Sequence, residues 1–363
     1  MPKTLKIRSK AMLGTSHSWA VTIRSLLAQF DAKGHDLYLN SINGYEMFPP
    51  DWMKKTKREV KDPDIDITYT LPRNFKERFR GKSNLKLAIY NYESSILPGV
   101  WLPEIKHVDY VLPSSSYSKK VFVESGWPED KCIVVPHGIN IEDFDRKDKL
   151  DSIKTNKSFK FLNVSIAHHR KNIGMLVDAY YSAFSASDDV CLIIKTSLKK
   201  PKFKFECDIA KEIVKVQKKH KGKSLPQIEI VQRKYDSLIP LYNSCDSLVS
   251  ATSAEGFGLP FLEAMAAGLP VIAPNCSGHL DFLNEKNSLL VDVREIAAGD
   301  KYQYWRASPG AKIWVPEVED LADKMKRMYL NKAIILDEFS DERKETLKKF
   351  TWENAANQIL DLV

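Results

Sequence analysis

One stretch narrows the folds open to this chain more than any other. It reads Ser250-Ala-Thr-Ser-Ala-Glu255-Gly256-Phe257-Gly258-Leu259-Pro260-Phe261-Leu262-Glu263-Ala264-Met265-Ala266-Ala267-Gly268-Leu269-Pro270-Val271-Ile272-Ala273. Leu248 and Val249 end an apolar, strand-like run before it. A small-residue loop then carries Glu255 and two glycines. A short Ala- and Leu-rich helix follows, with Glu263 inside it, and Gly268 stops that helix. Leu269 to Ala273 reads as the next strand. Strand–loop–helix–strand units of this kind build parallel sheets with helices on their faces. They also put a helix N-terminus with bare glycine amides at the sheet edge, where unpaired N–H groups and the helix dipole favour an anion.

The same alternation runs through both halves. In the first half, Leu5–Arg8 reads as a strand, Ser9–His17 as a loop containing Gly14, and Ser18 as the cap of a helix reaching about Phe30. His35–Asn40 is the next strand. Residues 41–82 are rich in Pro, Lys and aromatics, including Phe48-Pro-Pro-Asp-Trp52, and read as partly irregular, with a strand at Ile65–Tyr69. Leu85–Tyr90 is a strand, and Glu93 lies just past its carboxyl end. Val108–Pro113 reads as a strand, Tyr117–Ser125 as a helix and Cys132–Pro136 as another strand. Glu142–Lys160 is charged, has no apolar period, and reads as a linker.

The second half restarts the pattern. Strands are expected at Phe159–Val164, Val190–Lys195 and Ile228–Val231. Helices are expected from Asn172 or Gly174 to about Phe184, from Cys207 to Lys221, and from Leu238 to Ser244. The chain closes with helices from about Val318 to Tyr329 and Lys332 to Lys349, then one capped by Thr351. A chain of 363 residues exceeds what one core comfortably holds, so two domains are the natural expectation.

Composition excludes several classes. No apolar run reaches membrane-spanning length, and no apolar segment follows the basic start Met1-Pro-Lys-Thr-Leu-Lys, so neither a transmembrane helix nor a secretory signal is expected. Cys132, Cys191, Cys207, Cys245 and Cys276 are scattered and form no C-x-x-C pair, which reads as reduced thiols in a cytoplasmic protein without zinc or disulfides. The formal charge of +8 suits an anionic ligand or surface without choosing between them. It is small for a nucleic-acid binder. The lysine-rich helix near 207–221 is a solvated face on the plain reading, and peripheral membrane contact is the other. G-x-G-x-x-G and G-x-x-x-x-G-K-[ST] are both absent, which weighs against dinucleotide dehydrogenases and P-loop nucleotidases.

The loops of the second half gather at one sheet edge, because each follows a strand and precedes a helix. They bring Arg170 and Lys171, then Lys195, then Gly256-Phe257-Gly258, then Glu263. Two cations and a glycine-lined helix start suit a diphosphate. A carboxylate further along suits a vicinal diol. A nucleotide sugar contains both, and Glu255 is placed to touch its sugar. Other nucleotide ligands would fit the same spacing. Gly14 and Glu93 lie on the corresponding edge of the first half.

Glu255-Gly-Phe-Gly-Leu-Pro-Phe-Leu-Glu263 resembles the E-x7-E signature of retaining GT-B glycosyltransferases, particularly those of family 4. Lys33-Gly-His-Asp-Leu-Tyr-Leu, Asp109-Tyr-Val-Leu-Pro-Ser-Ser-Ser-Tyr-Ser, Val134-Val-Pro-His-Gly-Ile-Asn and Phe350-Thr-Trp-Glu-Asn-Ala-Ala are similar to further segments of that family. The resemblance covers nearly the whole chain. It implies an α/β, GT-B architecture with two Rossmann-like domains facing across a cleft. The acceptor-side domain would hold residues 1–143 plus a helix at 346–363 crossing back, and the donor domain residues 144–345.

The resemblance also implies transfer of a sugar from a nucleotide-diphosphate sugar to an acceptor hydroxyl with retention of configuration. The acceptor would be a glycan, a lipid-linked group or a protein. Glu263 would bind the ribose. Gly256, Phe257, Gly258 and Leu259 would offer amides to the sugar and diphosphate. Lys171 would bind the diphosphate and Glu255 the donor sugar. Ser165 and Ala167 lie where the family carries a separate arginine, and Arg170 is the cation available to replace it. Neither a metal nor a further cofactor is implied. A sugar-nucleotide epimerase or phosphorylase of the same fold, and a non-catalytic polyanion- or membrane-binding protein, are the alternatives.

Overall fold

The computed structural model describes residues 3–14, 17–42, 50–54, 56, 59–150, 152–196, 200–233, 235–302 and 308–363. The chain divides into two compact units. One comprises Met1–Tyr92, Ile96–Gly138 and Phe350–Val363, and the other Glu93–Ser95 with Ile139–Lys349. The sequence placed these breaks between 143 and 144 and between 345 and 346.

The first unit holds strands β1 (Lys6–Ala11), β2 (Asp36–Ser41), β3 (Ile65–Tyr69), β4 (Leu85–Ile89) and β5 (Tyr110–Leu112). They form a parallel sheet in the order β2-β1-β3-β4-β5. Helices α1 (Ser18–Ala32), α2 (Asp51–Lys54), α3 (Phe75–Arg78) and α4 (Ser116–Glu124) connect it. Helix α1 buries Ile23, Leu26, Leu27 and Phe30 on one face, as the apolar spacing requires, while Trp19 is half-buried. Its cap is His17, whose ring accepts from the Trp19 amide, and not Ser18.

Two expectations for this unit need correction. Ser9, Lys10 and Ala11 belong to β1 and not to the following loop, because all three pair with Leu39–Ser41 of β2. Cys132–Pro136 is extended but makes only a single bridge to Val111. The amides of Ile133 and Val135 donate to the carbonyls of Val111 and Pro113 at 3.1 and 3.0 Å. Pro113 has no N–H to return, so the ladder stops there. Of the 41–82 segment, residues 43–49, 55, 57 and 58 lie outside the described residues, as do 15 and 16 of the Gly14 loop.

The second unit is built on β6 (Phe159–Val164), β7 (Val190–Lys195), β8 (Gln227–Val231), β9 (Ser247–Val249), β10 (Val271–Pro274) and β11 (Leu289–Val291). The order is β11-β10-β9-β6-β7-β8, all parallel. A hairpin, β12 (Val293–Ala297) with β13 (Lys312–Pro316), stands beside it. Neither strand of this hairpin was expected from the sequence. The helices are α5 (Ile173–Ala183), α6 (Ile209–Lys219), α7 (Ile239–Tyr242), α8 (Leu259–Ala266), α9 (Val318–Glu338) and α10 (Ser340–Lys349). The core joins Phe161, Leu176, Tyr180, Leu192, Ile194, Val249, Ile272, Leu321 and Met325. Helix α6 turns Ile209, Ile213 and Val216 inward and its lysines outward. Asn331 leaves helical geometry inside α9, close to the expected break. A second break at Phe339, between α9 and α10, was not expected. No helix among the described residues is long and apolar enough to cross a membrane.

The final helix α11 (Trp352–Leu360) packs on α1 within the first unit. The Thr351 hydroxyl caps it by accepting from the Asn354 amide at 3.1 Å. Gly138 passes so close that a Cβ there would lie 2.1 Å from the Thr351 carbonyl carbon. Backbone is the obstacle, so Gly138→Ala has to push the helix away. We expect a loss of about 1–3 kcal/mol, checked by urea denaturation. An unchanged midpoint would show that the contact yields freely.

Candidate active site

Everything at this site hangs on where β6, β9 and β10 end. Past β6, the chain makes a 3-10 turn at His169–Lys171, and Asn172 then takes a left-handed conformation with φ 48° to start α5. Asparagine tolerates that region better than other non-glycine residues. Its side-chain amide donates to Ala251 O at 2.9 Å and Ser253 Oγ at 2.7 Å. The Ser253 amide donates back to Arg170 O at 2.7 Å. These bonds tie the loop after β6 to the loop after β9.

The tie brings Arg170, Lys171 and Glu255 into contact. Lys171 and Glu255 are only 9% and 8% exposed. The Lys171 ammonium is paired directly with Glu255 Oε1. Arg170 Nη1 reaches Glu255 Oε2 at 3.2 Å and donates to Ala254 O at 2.7 Å, and its Nη2 reaches Glu93 Oε1 at 3.0 Å. Burial acts to raise the Glu255 carboxyl, but Lys171 and Arg170 outweigh it and hold the group well below the usual carboxylate range. Burial lowers the Lys171 ammonium, and neighbouring Arg170 adds to that. The result is a group of two cations and two carboxylates in which Lys171 and Glu255 are buried and the Glu93 side chain is 36% exposed.

The glycine pair stands where the sequence placed it. Gly258 precedes α8 with φ 99°, and a Cβ on it would meet the Phe261 ring at 2.6 Å. Only glycine suits that position on both counts. Gly256 and Phe257 are buried, and Leu259 opens α8 with Pro260 behind it. Glu263 lies one turn further and is half-buried. The Tyr242 hydroxyl donates to its Oε2 at 2.7 Å. Burial pushes the Glu263 carboxyl up to about 7, against a smaller lowering by that hydrogen bond.

Not every expected residue joins this group. Lys195 ends β7, and its ammonium lies 5.9 Å from the centre of the Tyr235 ring, with its pKa lowered by burial. Gly14 is buried just past β1 and belongs to the first unit. Glu93, expected on the acceptor side, groups with the second unit and pairs with Arg170. His137 is buried among the rings of Tyr69 and Trp352, and burial pushes its pKa down to about 3.

The sequence reading missed Asn172, Tyr242 and the turn after β10. In that turn the Glu255 amide donates to Ser277 Oγ, and the Gly278 amide donates to Glu255 O, both at 2.9 Å. The Ser277-Gly278 pair after a strand was the one local signal available. No group of three His, Cys, Asp or Glu among the described residues could hold a metal ion. Cys276 is buried and its thiol is pushed up to about 12, so it is unreactive.

Residues 159–299 match the family model described as glycosyl transferases group 1. A probable sucrose-phosphate synthase of Thermosipho melanesiensis is 26% identical over 321 residues, which is 85% of this chain and 66% of that protein. The chain therefore spans slightly less than two thirds of that relative. A solved glycosyltransferase from Rickettsia africae superposes with a TM-score of 0.70 at 16% identity, covering 99% of this chain and 97% of the other. HepE from Anabaena, solved in complex with UDP-glucose, gives 0.69 at 14% identity with 99% of both chains covered. The fold is GT-B, with two parallel-sheet Rossmann-like units.

Proposed function

We propose that this chain is a retaining glycosyltransferase that moves a sugar from a nucleotide-diphosphate sugar to an acceptor hydroxyl. The observation that carries the reading is the Arg170–Lys171–Glu255 cluster, which lies just before a glycine-started helix that carries Glu263. Buried cations need an anionic partner. In this structure Glu255 and Glu93 fill that role.

An arriving diphosphate would take over Lys171 and Arg170. That frees Glu255 to accept from a hydroxyl of the donor sugar. Glu263 would take the ribose diol, with Tyr242 steadying its second oxygen. As the bond from the anomeric carbon to the diphosphate oxygen breaks, its electron pair goes to the diphosphate. The two cations and the amides of Gly256 to Leu259 would stabilise that charge. The acceptor would approach on the face the diphosphate leaves, and a diphosphate oxygen would take its proton. The E-x7-E spacing of Glu255 and Glu263 supports retention. The resemblance implies no metal, so the diphosphate charge would fall to these side chains and amides alone.

The test is a thermal-shift screen of uridine, guanosine and adenosine diphosphate sugars, followed by product analysis. A donor present at about 100 times its Kd adds about 2.7 kcal/mol of stability. One base series should raise Tm by several degrees, and turnover should release the nucleoside diphosphate together with a glycosylated acceptor whose anomeric configuration matches the donor's. Inversion at that carbon, or no shift with any series, would defeat the proposal.

A further inference from the structure

Ser277 adopts φ 62° and ψ −158°. That corner of backbone space is essentially reserved for glycine. Asp62 and Asn172 are the other described non-glycine residues with positive φ, at 51° and 48°. Those two belong to types that tolerate the left-handed region, and serine at this ψ does not. A glycine there would remove the strain, so the hydroxyl must supply something that glycine cannot.

The hydroxyl's position says what. Ser277 is 7% exposed, and its Oγ takes the Glu255 amide at 2.9 Å. The next amide, of Gly278, donates to the Glu255 carbonyl at the same distance. Ser277 and Gly278 thus hold both backbone polar groups of Glu255. The His279 ring ties into the same turn through Nε2 to Pro274 O at 2.7 Å. The Ser277 hydroxyl is the acceptor for that amide, and the Glu255 carboxylate is where Lys171 and Arg170 converge.

We infer that Ser277 is a positioning residue: its strained backbone is kept so that its hydroxyl can hold Glu255 in line with Lys171 and Arg170. The inference rests on the glycosyl-transfer reading for its consequence in turnover, but not for its structural half. Ser277→Gly removes the hydroxyl and the strain together, whereas Ser277→Ala removes the hydroxyl and keeps the strain.

Hydrogen exchange followed by mass spectrometry on peptides covering 254–257 decides the structural half. The Ser277→Gly protein should exchange the Glu255 amide at least about tenfold faster, with Tm within about 2 °C of wild type, since strain relief offsets the lost bond. Ser277→Ala should exchange as fast and melt lower. Kinetics decide the functional half. With Ser277→Gly, kcat should fall about tenfold while the Kd for the free nucleoside diphosphate stays within about twofold, because Glu263, Lys171 and Arg170, the groups proposed to hold that ligand, are all retained. Unchanged exchange at 254–257 overturns the inference, as does fast exchange with wild-type kcat. Absence of turnover in the wild type would instead defeat the glycosyl-transfer reading, and the exchange result would still stand.

Discussion

Lys171→Ala is expected to lower kcat for glycosyl transfer by roughly 10²–10³-fold, the usual cost of removing one preorganised group from developing transition-state charge. The protein should still fold. Glu255 keeps Arg170 at 3.2 Å after the lysine is gone, so its carboxylate is not left alone in the interior. The carboxyl should shift upward, because one of the two cations that hold it down has been removed. Stability should therefore fall by less than the roughly 3–5 kcal/mol that follows from orphaning a buried charge completely. Lys171→Met, which fills similar space without charge, separates the two effects. Turnover in both variants should be equally poor, while stability recovers in the methionine variant. Wild-type turnover in either would remove Lys171 from the chemistry.

That prediction depends on a residue legible in the sequence, but its partner geometry was not. The strands β3, β6 and β7 were read to the residue, since each is a short apolar run bounded by turn signals. Arg170, Lys171, Glu255 and Glu263 stood out because loops after parallel strands share one edge. What could not be read was which atoms meet. Glu93 lies far from Arg170 in the chain, and no period or spacing links them. Tyr242 lies inside the helix expected at Leu238–Ser244, and nothing in that pattern directs its hydroxyl to Glu263. The strand expected at Cys132–Pro136 failed for a local reason on its neighbour, the missing N–H of Pro113. Ser277 is invisible for a deeper reason: φ and ψ are fixed by the packing of the turn, and a serine codon carries no trace of them.

Glu263 offers the sharpest pH test. Its carboxyl is raised to about 7 from an ordinary 4.5, chiefly by burial. A raised acid favours the fold in its protonated form. Its contribution is therefore complete below the ordinary value and is lost as pH rises through about 7. Relative to Glu263→Gln, which cannot ionise, the free wild-type protein should lose Tm between about pH 5 and 8. Donor binding should respond in the opposite direction. A ribose diol donates two hydrogen bonds, and only the ionised carboxylate accepts both well. Affinity for the donor should therefore weaken as pH drops below 7, by up to about tenfold per unit, because one proton must leave on binding. A nucleotide sugar is the right probe, since it lacks the terminal phosphate whose own ionisation near pH 6 would mask the effect. Glu263→Gln should flatten the pH profile, and Glu263→Ala should weaken binding by roughly ten- to a hundredfold at pH 8, leaving the Tyr242 hydroxyl without its acceptor. Titration calorimetry in buffers of different ionisation enthalpy would count the released proton directly. A pH-independent affinity in the wild type would mean that the diol is held elsewhere.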